Sequence, residues 1–406
     1  MTADRQPAAG PDDQSLAIHA RDASPNTDPI EVRVTGADPG AAVEFSSSLE
    51  DADGDEFTAR ATFTADDDGV ADLTEHAPDD GDWDDAHPMA WLWAMTSDGD
   101  APFARLSGVQ RLEVTLRAET DDAETDRTIT RVLHDDDIER RDVDADGVVG
   151  TLYLPAGDGP HPGVLELHGS GGRRSDGTAR LLASQGYAAL ALTYFDEAHD
   201  GLPDELERVP LSYFDDAAAW LRDRPEVRDG RVGVVGASRG AEAALLLGAH
   251  YGWPGAVVSY SGSVPWDTPS DEPAWLRDGD PVPHITAEEA PRFADLDEKP
   301  VADVVPPVET TNGPVLLLSG GDDRVWDSWR LSEAIAERLR ERDFEHRFDH
   351  RTYEDCGHLV GTPYAPLGGL DETDRAGGTA RGTVRASEDA WPAVLNALED
   401  GLQTKR

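Results

Sequence analysis

Lysine is almost missing from this chain. Lys299 and Lys405 are the only ones in 406 residues, and arginine supplies the rest of a basic set of 35. Against it stand 83 Asp and Glu, for a formal net charge of −48 at pH 7. The acid is spread along the whole length, not gathered in a tail. Such a surface repels phosphate backbones and anionic headgroups, so neither nucleic acid nor a membrane is an expected partner. Cysteine is single, Cys356, which excludes an intrachain disulfide. No apolar run approaches the roughly 20 residues that cross a bilayer. Residues 1–12 show no basic region, apolar core or twin arginine. The expectation is a soluble cytoplasmic protein.

Disorder is argued against by ordered apolar blocks and by 10 tryptophans. The acidity then fits a folded protein adapted to high salt. There a carboxylate surface stays hydrated, and screening removes its self-repulsion. The length suits two domains, or one with additions.

Residues 1–27 are polar and rich in Asp, Pro and Ala, and are expected to be a loose arm. From Ile30 the pattern alternates: Ile30, Val32 and Val34, then Phe57, Ala59, Ala61 and Phe63, then Leu112, Val114 and Leu116. Short strands between Asp/Gly turns, with no helical period, predict an all-β sandwich over 28–120. The charged stretch 121–127 reads as a linker. From 128 to 404 strands and helices alternate, after a leading antiparallel pair at 128–133 and 150–154. Strands are expected at 161–168, 187–194, 231–235, 256–261, 315–319 and 347–353. Helices are expected at 177–185, 213–222, 239–249, 328–340 and 386–402. Regular alternation predicts an α/β-hydrolase, a mostly parallel sheet with helices on both faces.

The chemistry centres on Gly236-Ala237-Ser238-Arg239-Gly240. An apolar run precedes this G-x-S-x-G and a helix-like run follows it, the pattern of a nucleophile elbow. A serine hydroxyl needs a base, and the base needs an orienting acid, found in this fold in the chain order Ser, acid, His. Gly320-Gly321-Asp322-Asp323-Arg324-Val325 follows a late strand. Asp323 is the preferred acid, as the fourth residue of G-x-x-D-x-V, and Asp322 is the alternative. Gly357-His358 follows the last strand and supplies the base, whereas His134, His346 and His350 lie in or beside strands. Cys356 lacks an elbow and reads as packing. The oxyanion donors are expected to be the backbone N–H of Arg239 and that of Ser170 or Gly171, in the loop His168-Gly169-Ser170-Gly171-Gly172-Arg173. A phosphate-cradling role for this loop is excluded by the missing P-loop lysine. Asp142-Val143-Asp144-Ala145-Asp146-Gly147 opens like a calcium loop, but its closing position holds Tyr153. No metal and no cofactor are expected. The long segment 262–312, with Trp266 and Trp275, is expected to form a cap over a substrate pocket.

Together these residues resemble one family, the acyl-CoA thioesterases and bile acid-CoA:amino acid N-acyltransferases. The resemblance rests on Ser238-Arg239-Gly240-Ala241-Glu242, Gly320-Gly321-Asp322-Asp323, Gly357-His358-Leu359 with Pro363-Tyr364-Ala365-Pro366, and Glu388-Asp389-Ala390-Trp391-Pro392. In the first domain Pro88-Met89 and Leu92-Trp93-Ala94-Met95 look like the family's sandwich signature. It implies an immunoglobulin-like fold for that sandwich, Ser238, Asp323 and His358 as a triad, and an acyl-CoA as substrate. Arg239 stands where lysine is usual. A serine nucleophile, where conjugating members look to use cysteine, favours hydrolysis over acyl transfer to an amine. A carboxylesterase or dienelactone-hydrolase-like enzyme would carry the same triad on oxygen esters. An inactive hydrolase-fold binding protein is the reading from a different class, and the intact triad argues against it.

Overall fold

The computed structural model describes residues 15–51, 54–97, 110–172, 176–268, 270–286, 298–361, 364 and 376–403. They fall into two compact units, one holding the strands as far as Val132 and the other those from Glu139 onward.

The first unit contains β1 (Ala17–His19), β2 (Ala23–Pro25), β3 (Arg33–Thr35), β4 (Ala42–Glu50), β5 (Glu56–Thr64), β6 (Val70–Asp72) and β7 (Asp80–Gly81). A single helical turn, α1 (Ala90–Trp93), precedes β8 (Thr96–Ser97), β9 (Arg111–Glu119) and β10 (Glu124–Val132). One sheet is ordered β1-β3-β6, and a larger one runs β2-β10-β9-β4-β5-β7 with β8 against β5. Buried and exposed positions alternate along β4, β5 and β9, because successive side chains of a strand point to opposite faces. The buried set is the apolar set read from the sequence: Val43 and Phe45, Phe57 and Phe63, Leu112 and Val114.

Three expectations need correction here. Residues 15–27 are not a loose arm: β1 pairs with β3 and β2 with β10, and Leu16, Ile18, Ser24 and Asn26 are buried. The stretch 121–127 is not a linker. Thr120 and Ala123 close a turn, and β10 then pairs with β9 from Glu124–Glu119 to Val132–Arg111. Its charges mark the exposed part of a strand, with Arg117 bridging to Glu124 across the ladder. Residues 128–133 therefore do not lead the second unit. The third concerns the absence of any helical period in the first domain: within the short apolar run 89–95, residues Ala90–Trp93 form the helical turn α1. Met89, Trp91 and Leu92 are buried all round it, so no alternation shows. The fully buried Arg131 donates to the Asn26 and Asp28 carbonyls and to Ser24 through its terminal nitrogens, and burial pushes its guanidinium down to about 10.

The second unit begins with the hairpin β11 (Glu139–Ala145) and β12 (Val148–Leu154). Its turn is Asp146-Gly147, both at positive φ (56° and 80°), the conformation a two-residue hairpin loop demands. The calcium-like motif is thus a strand with its charges outward and a tight turn. There follow β13 (Gly163–Leu167), α2 (Gly177–Ser184), β14 (Ala188–Thr193), β15 (Val209–Pro210), α3 (Leu211–Arg222), β16 (Val232–Ala237), α4 (Arg239–His250) and β17 (Pro254–Tyr260). Then come β18 (Trp275–Arg277), β19 (Asp280–Pro281), α5 (Glu298–Val304), β20 (Val315–Gly320), α6 (Ser328–Glu341), β21 (Phe348–Tyr353) and α7 (Ala380–Leu402). The main sheet is ordered β11-β12-β14-β13-β16-β17-β20-β21. The pairs β11–β12 and β12–β14 are antiparallel, and every later pair is parallel. Strands β13, β14, β17 and β20 are buried along their whole length, which is why they read as unbroken apolar runs. One face is covered by α3, α4 and α6 through Phe214, Leu221, Leu245, Leu331 and Ile335. The other is covered by α2 and α7 through Leu182, Trp391, Val394 and Leu398. This is the α/β-hydrolase architecture. Helix α7 starts earlier than the periodicity indicated, at Ala380, where Thr379 Oγ1 caps it by accepting the Gly382 N–H at 2.9 Å.

Candidate active site

Parallel strands carry their C-terminal ends to one edge of the sheet. Along that edge β16, β17, β20 and β21 lie side by side. Ser238 follows β16, Asp323 follows β20 and His358 follows β21. Sheet order therefore brings together three side chains that are distant in sequence. His358 Nε2 lies 3.0 Å from Ser238 Oγ, and His358 Nδ1 lies 2.9 Å from Asp323 Oδ2. A carboxylate only accepts, so Nδ1 carries the proton and Nε2 is left to accept from the serine hydroxyl. The Asp323 side chain is fully buried, and its other oxygen accepts the N–H groups of Val325 (3.0 Å) and Trp326 (3.3 Å).

The elbow is held by sterics. Ser238 sits at φ 55°, ψ −121°, a conformation that side chains rarely adopt. A Cβ at Gly236 would lie 2.2 Å from the Gly240 carbonyl oxygen, and one at Gly240 would lie 2.2 Å from that of Leu167. Both neighbours are backbone and cannot move aside, so only glycine fits. Ser238 is the N-cap of α4, which places the Arg239 N–H in the helix's first turn, where backbone amides are left for other partners. The loop after β13 comes against Ser238 at Gly169, where a Cβ would stand 3.1 Å from Ser238 Cβ. Ser170 and Gly171 are exposed beyond it, and Arg173 lies outside the described residues.

Asp322 is turned away from the histidine. Its Oδ2 accepts the Gly378 N–H at 2.9 Å and pairs with Arg324, and the Gly378 bond leads in holding its carboxyl below the usual range. Cys356 is buried, with the thiol pushed up to about 11 by burial. His350 bonds Glu333 at 2.8 Å, and His134 lies 3.2 Å from an Arg180 nitrogen, both away from Ser238.

One feature was not anticipated: the side chain of Arg239. Its guanidinium is buried and pairs with Glu242 at 3.1 Å. It also donates to the carbonyls of Trp266 (3.0 Å) and Asp267 (2.6 Å). Glu242 in turn accepts from Ser263 Oγ (2.6 Å) and Trp275 Nε1 (2.9 Å), while its burial raises the carboxyl. The i,i+3 spacing of Arg239 and Glu242 was the available signal. Through this pair the start of the 262–312 segment is fastened to α4. Concavities of 570, 620 and 450 Å³ among the described residues are lined by other parts of the chain, none by Ser238, Asp323 or His358. Among the described residues no group of His, Cys, Asp and Glu is arranged to hold a metal ion. Nor is any described helix long and apolar enough to cross a membrane.

Comparison with known proteins now decides the family. Residues 209–404 match the family described as BAAT / Acyl-CoA thioester hydrolase C terminal, and residues 27–145 match the Acyl-CoA thioester hydrolase/BAAT N-terminal region. Acyl-coenzyme A thioesterase 1 of Mus musculus is 31% identical over 389 residues, covering 90% of this chain and 91% of the relative. The chain belongs to this acyl-CoA thioesterase and N-acyltransferase family. The peroxisomal succinyl-coenzyme A thioesterase of Mus musculus is 29% identical across 91% of this chain and 92% of its own length. The bile acid-CoA:amino acid N-acyltransferase of Homo sapiens is 28% identical across 92% and 95%. Of the motifs behind the resemblance, Pro363, Ala365 and Pro366 lie outside the described residues. Asp389, on α7, holds the β21 end of the histidine loop by accepting from Arg351 (2.7 Å) and Tyr353 Oη (2.8 Å).

Proposed function

We propose that this family member is a serine-dependent acyl-CoA thioesterase. Ser238 Oγ attacks the thioester carbonyl carbon as His358 Nε2 takes the hydroxyl proton. Asp323 holds the imidazole in the required tautomer and stabilises the imidazolium. The developing oxyanion is met by the Arg239 N–H and by an N–H of the Gly169–Gly171 loop. The tetrahedral intermediate collapses, the C–S bond breaks, and the CoA sulfur leaves with the proton from His358. Water then gives a proton to His358 and attacks the acyl ester. Collapse returns the proton to Ser238 Oγ and releases the carboxylic acid. The observation that carries this reading is the Ser238–His358–Asp323 hydrogen-bonded chain at the sheet edge of a chain in this family.

In the same reading the two sheets of the first unit form an immunoglobulin-like sandwich, and the described part of the segment 262–312 covers the acyl pocket, residues 269 and 287–297 of it lying outside the described residues. Its support is that Val264, Trp266, Trp275 and Ile285 belong to the core on the α4 face. A cytoplasmic location is part of the proposal, and cell fractionation tests it. Serine as nucleophile favours loss of the acyl group to water.

Rates on a series of acyl-CoAs and on p-nitrophenyl esters, in molar KCl with and without an amino acid acceptor, test the function. The expected result is free acid and CoA from acyl-CoA, with kcat/KM well above that on the oxygen esters. Preference for p-nitrophenyl esters would make the protein a carboxylesterase. An N-acyl amino acid product would make it a transferase.

A further inference from the structure

Two hydrogen bonds at opposite nitrogens do not fix an imidazole. A sideways shift or tilt of the His358 ring carries Nε2 away from Ser238 Oγ, and two bonds along one line resist such a shift poorly. Something must wall the ring. Trp326 is there, buried, with its ring edge-to-face against that of His358 at a centroid distance of 5.2 Å and 84° between planes. The tryptophan is itself fixed at separate points. Its Nε1–H donates to the Ser261 carbonyl at 3.0 Å, and its backbone N–H donates to Asp323 Oδ1 at 3.3 Å. Against its ring lies the Arg239 guanidinium, with Cζ 5.7 Å from the ring centroid. That guanidinium is held in turn by Glu242 and the Trp266 and Asp267 carbonyls.

We propose that Trp326, backed by the side chain of Arg239, is a positioning residue that holds the His358 ring in line with Ser238. The inference rests on the proposed roles of Ser238 and His358. Neither side chain meets the substrate in it: Trp326 acts through the histidine, and Arg239 through Trp326. The indole is anchored by its N–H bond to Ser261, the backbone of the same residue is tied to Asp323, and the ring edge meets the imidazole directly. The arginine also matters as arginine. It offers a planar fork to one carboxylate and two carbonyls while laying a flat cation on an aromatic ring, and an ammonium has neither the donors nor the plane.

The test uses the full chain in 2 M KCl, with a fluorophosphonate probe that labels Ser238 and with acyl-CoA turnover. The labelling rate reads how well His358 activates the serine, apart from any substrate pocket. Trp326→Leu is expected to slow labelling on the order of tenfold to a hundredfold, the cost of a small misplacement at a reacting centre. kcat should fall in step while KM stays within about twofold, because no group touching substrate has changed. Trp326→Phe keeps a ring against the imidazole and should recover most of the loss. Arg239→Lys should fall between, with the folded state retained. Full labelling rates in Trp326→Leu and Arg239→Lys would overturn the inference. So would a loss that appears only as a lower Tm, or one that Trp326→Phe does not recover. If Trp326→Leu does not fold, Trp326→Phe and Arg239→Lys decide, and wild-type rates in both overturn it. Ser238→Ala separates the layers: residual turnover there would sink the site assignment itself, whatever Trp326 does.

Discussion

Asp323 Oδ2 lies 2.9 Å from His358 Nδ1, while the neighbouring Asp322 faces the other way, onto the Gly378 N–H and Arg324. Adjacent carboxylates of the same type thus have different work. Asp323→Asn offers an amide that can present its NH₂ to the ring and stabilise the wrong tautomer, so kcat should drop on the order of 10⁴-fold. Asp322→Asn keeps an oxygen for Gly378 and gives up an exposed ion pair, which costs about 1 kcal/mol or less. Steady-state kinetics of the two variants decide the matter, and the reverse ranking would move the acid to Asp322.

The elbow stores strain at a residue that cannot be glycine and still react. Ser238→Ala and Ser238→Gly both delete the nucleophile, so both should lose nearly all turnover. Their stabilities should differ. At φ 55°, ψ −121° alanine keeps the strain, whereas glycine relieves it, a difference of about 1–3 kcal/mol. Unfolding followed by circular dichroism at fixed salt should place Ser238→Gly above Ser238→Ala. Equal stabilities would mean that the backbone at this position is not strained.

Much of this site was legible because its residues obey local rules. The elbow announces itself by glycines that backbone contacts demand, and the candidate acid Asp323 and base His358 by their places after strands. The parallel strands of the second unit read as apolar runs because they are buried on both faces. What was hidden depends on partners remote in the chain. Nothing local tells that 124–132 pairs with β9 when its first residues carry the exposed charges Glu124 and Asp126. Nothing local tells that Trp326 meets His358, or that Arg239 reaches the Trp266 and Asp267 carbonyls. The helical turn Ala90–Trp93 was hidden for another reason: burial on every side erases the period that separates helix from strand.

Cys356 sits two places before His358 in sequence, yet it should be chemically silent. With its thiol pushed up to about 11 by burial, it is protonated throughout the physiological range, and the thiolate is the reactive form. Iodoacetamide at pH 7.5 should leave the folded protein unlabelled and fully active, and Cys356→Ala should retain wild-type kcat. Inactivation by alkylation at that cysteine would reopen the choice of nucleophile.

Salt dependence follows from charge alone. With 83 acidic against 35 basic residues, like charges repel across every face of a compact body. At 0.01 M ionic strength the screening length is about 30 Å, comparable to a domain, so the whole molecule feels that repulsion; at 1 M it is about 3 Å and only near neighbours count. Unfolding lets the charges separate, so weak screening favours the unfolded chain. The core and the Ser238–His358–Asp323 chain are the same in both media, and the ion pairs work in the opposite sense. Pairs such as Arg33–Asp72 and Arg338–Glu309 weaken as salt rises, but partly exposed pairs contribute only about 0–1 kcal/mol each. Repulsion among the unpaired acids therefore dominates. Tm should rise steeply between 0.1 and 2 M KCl, with activity following it. A Tm that stays flat over that range, measured by circular dichroism, would show that the acid serves solubility only and would reject the high-salt adaptation.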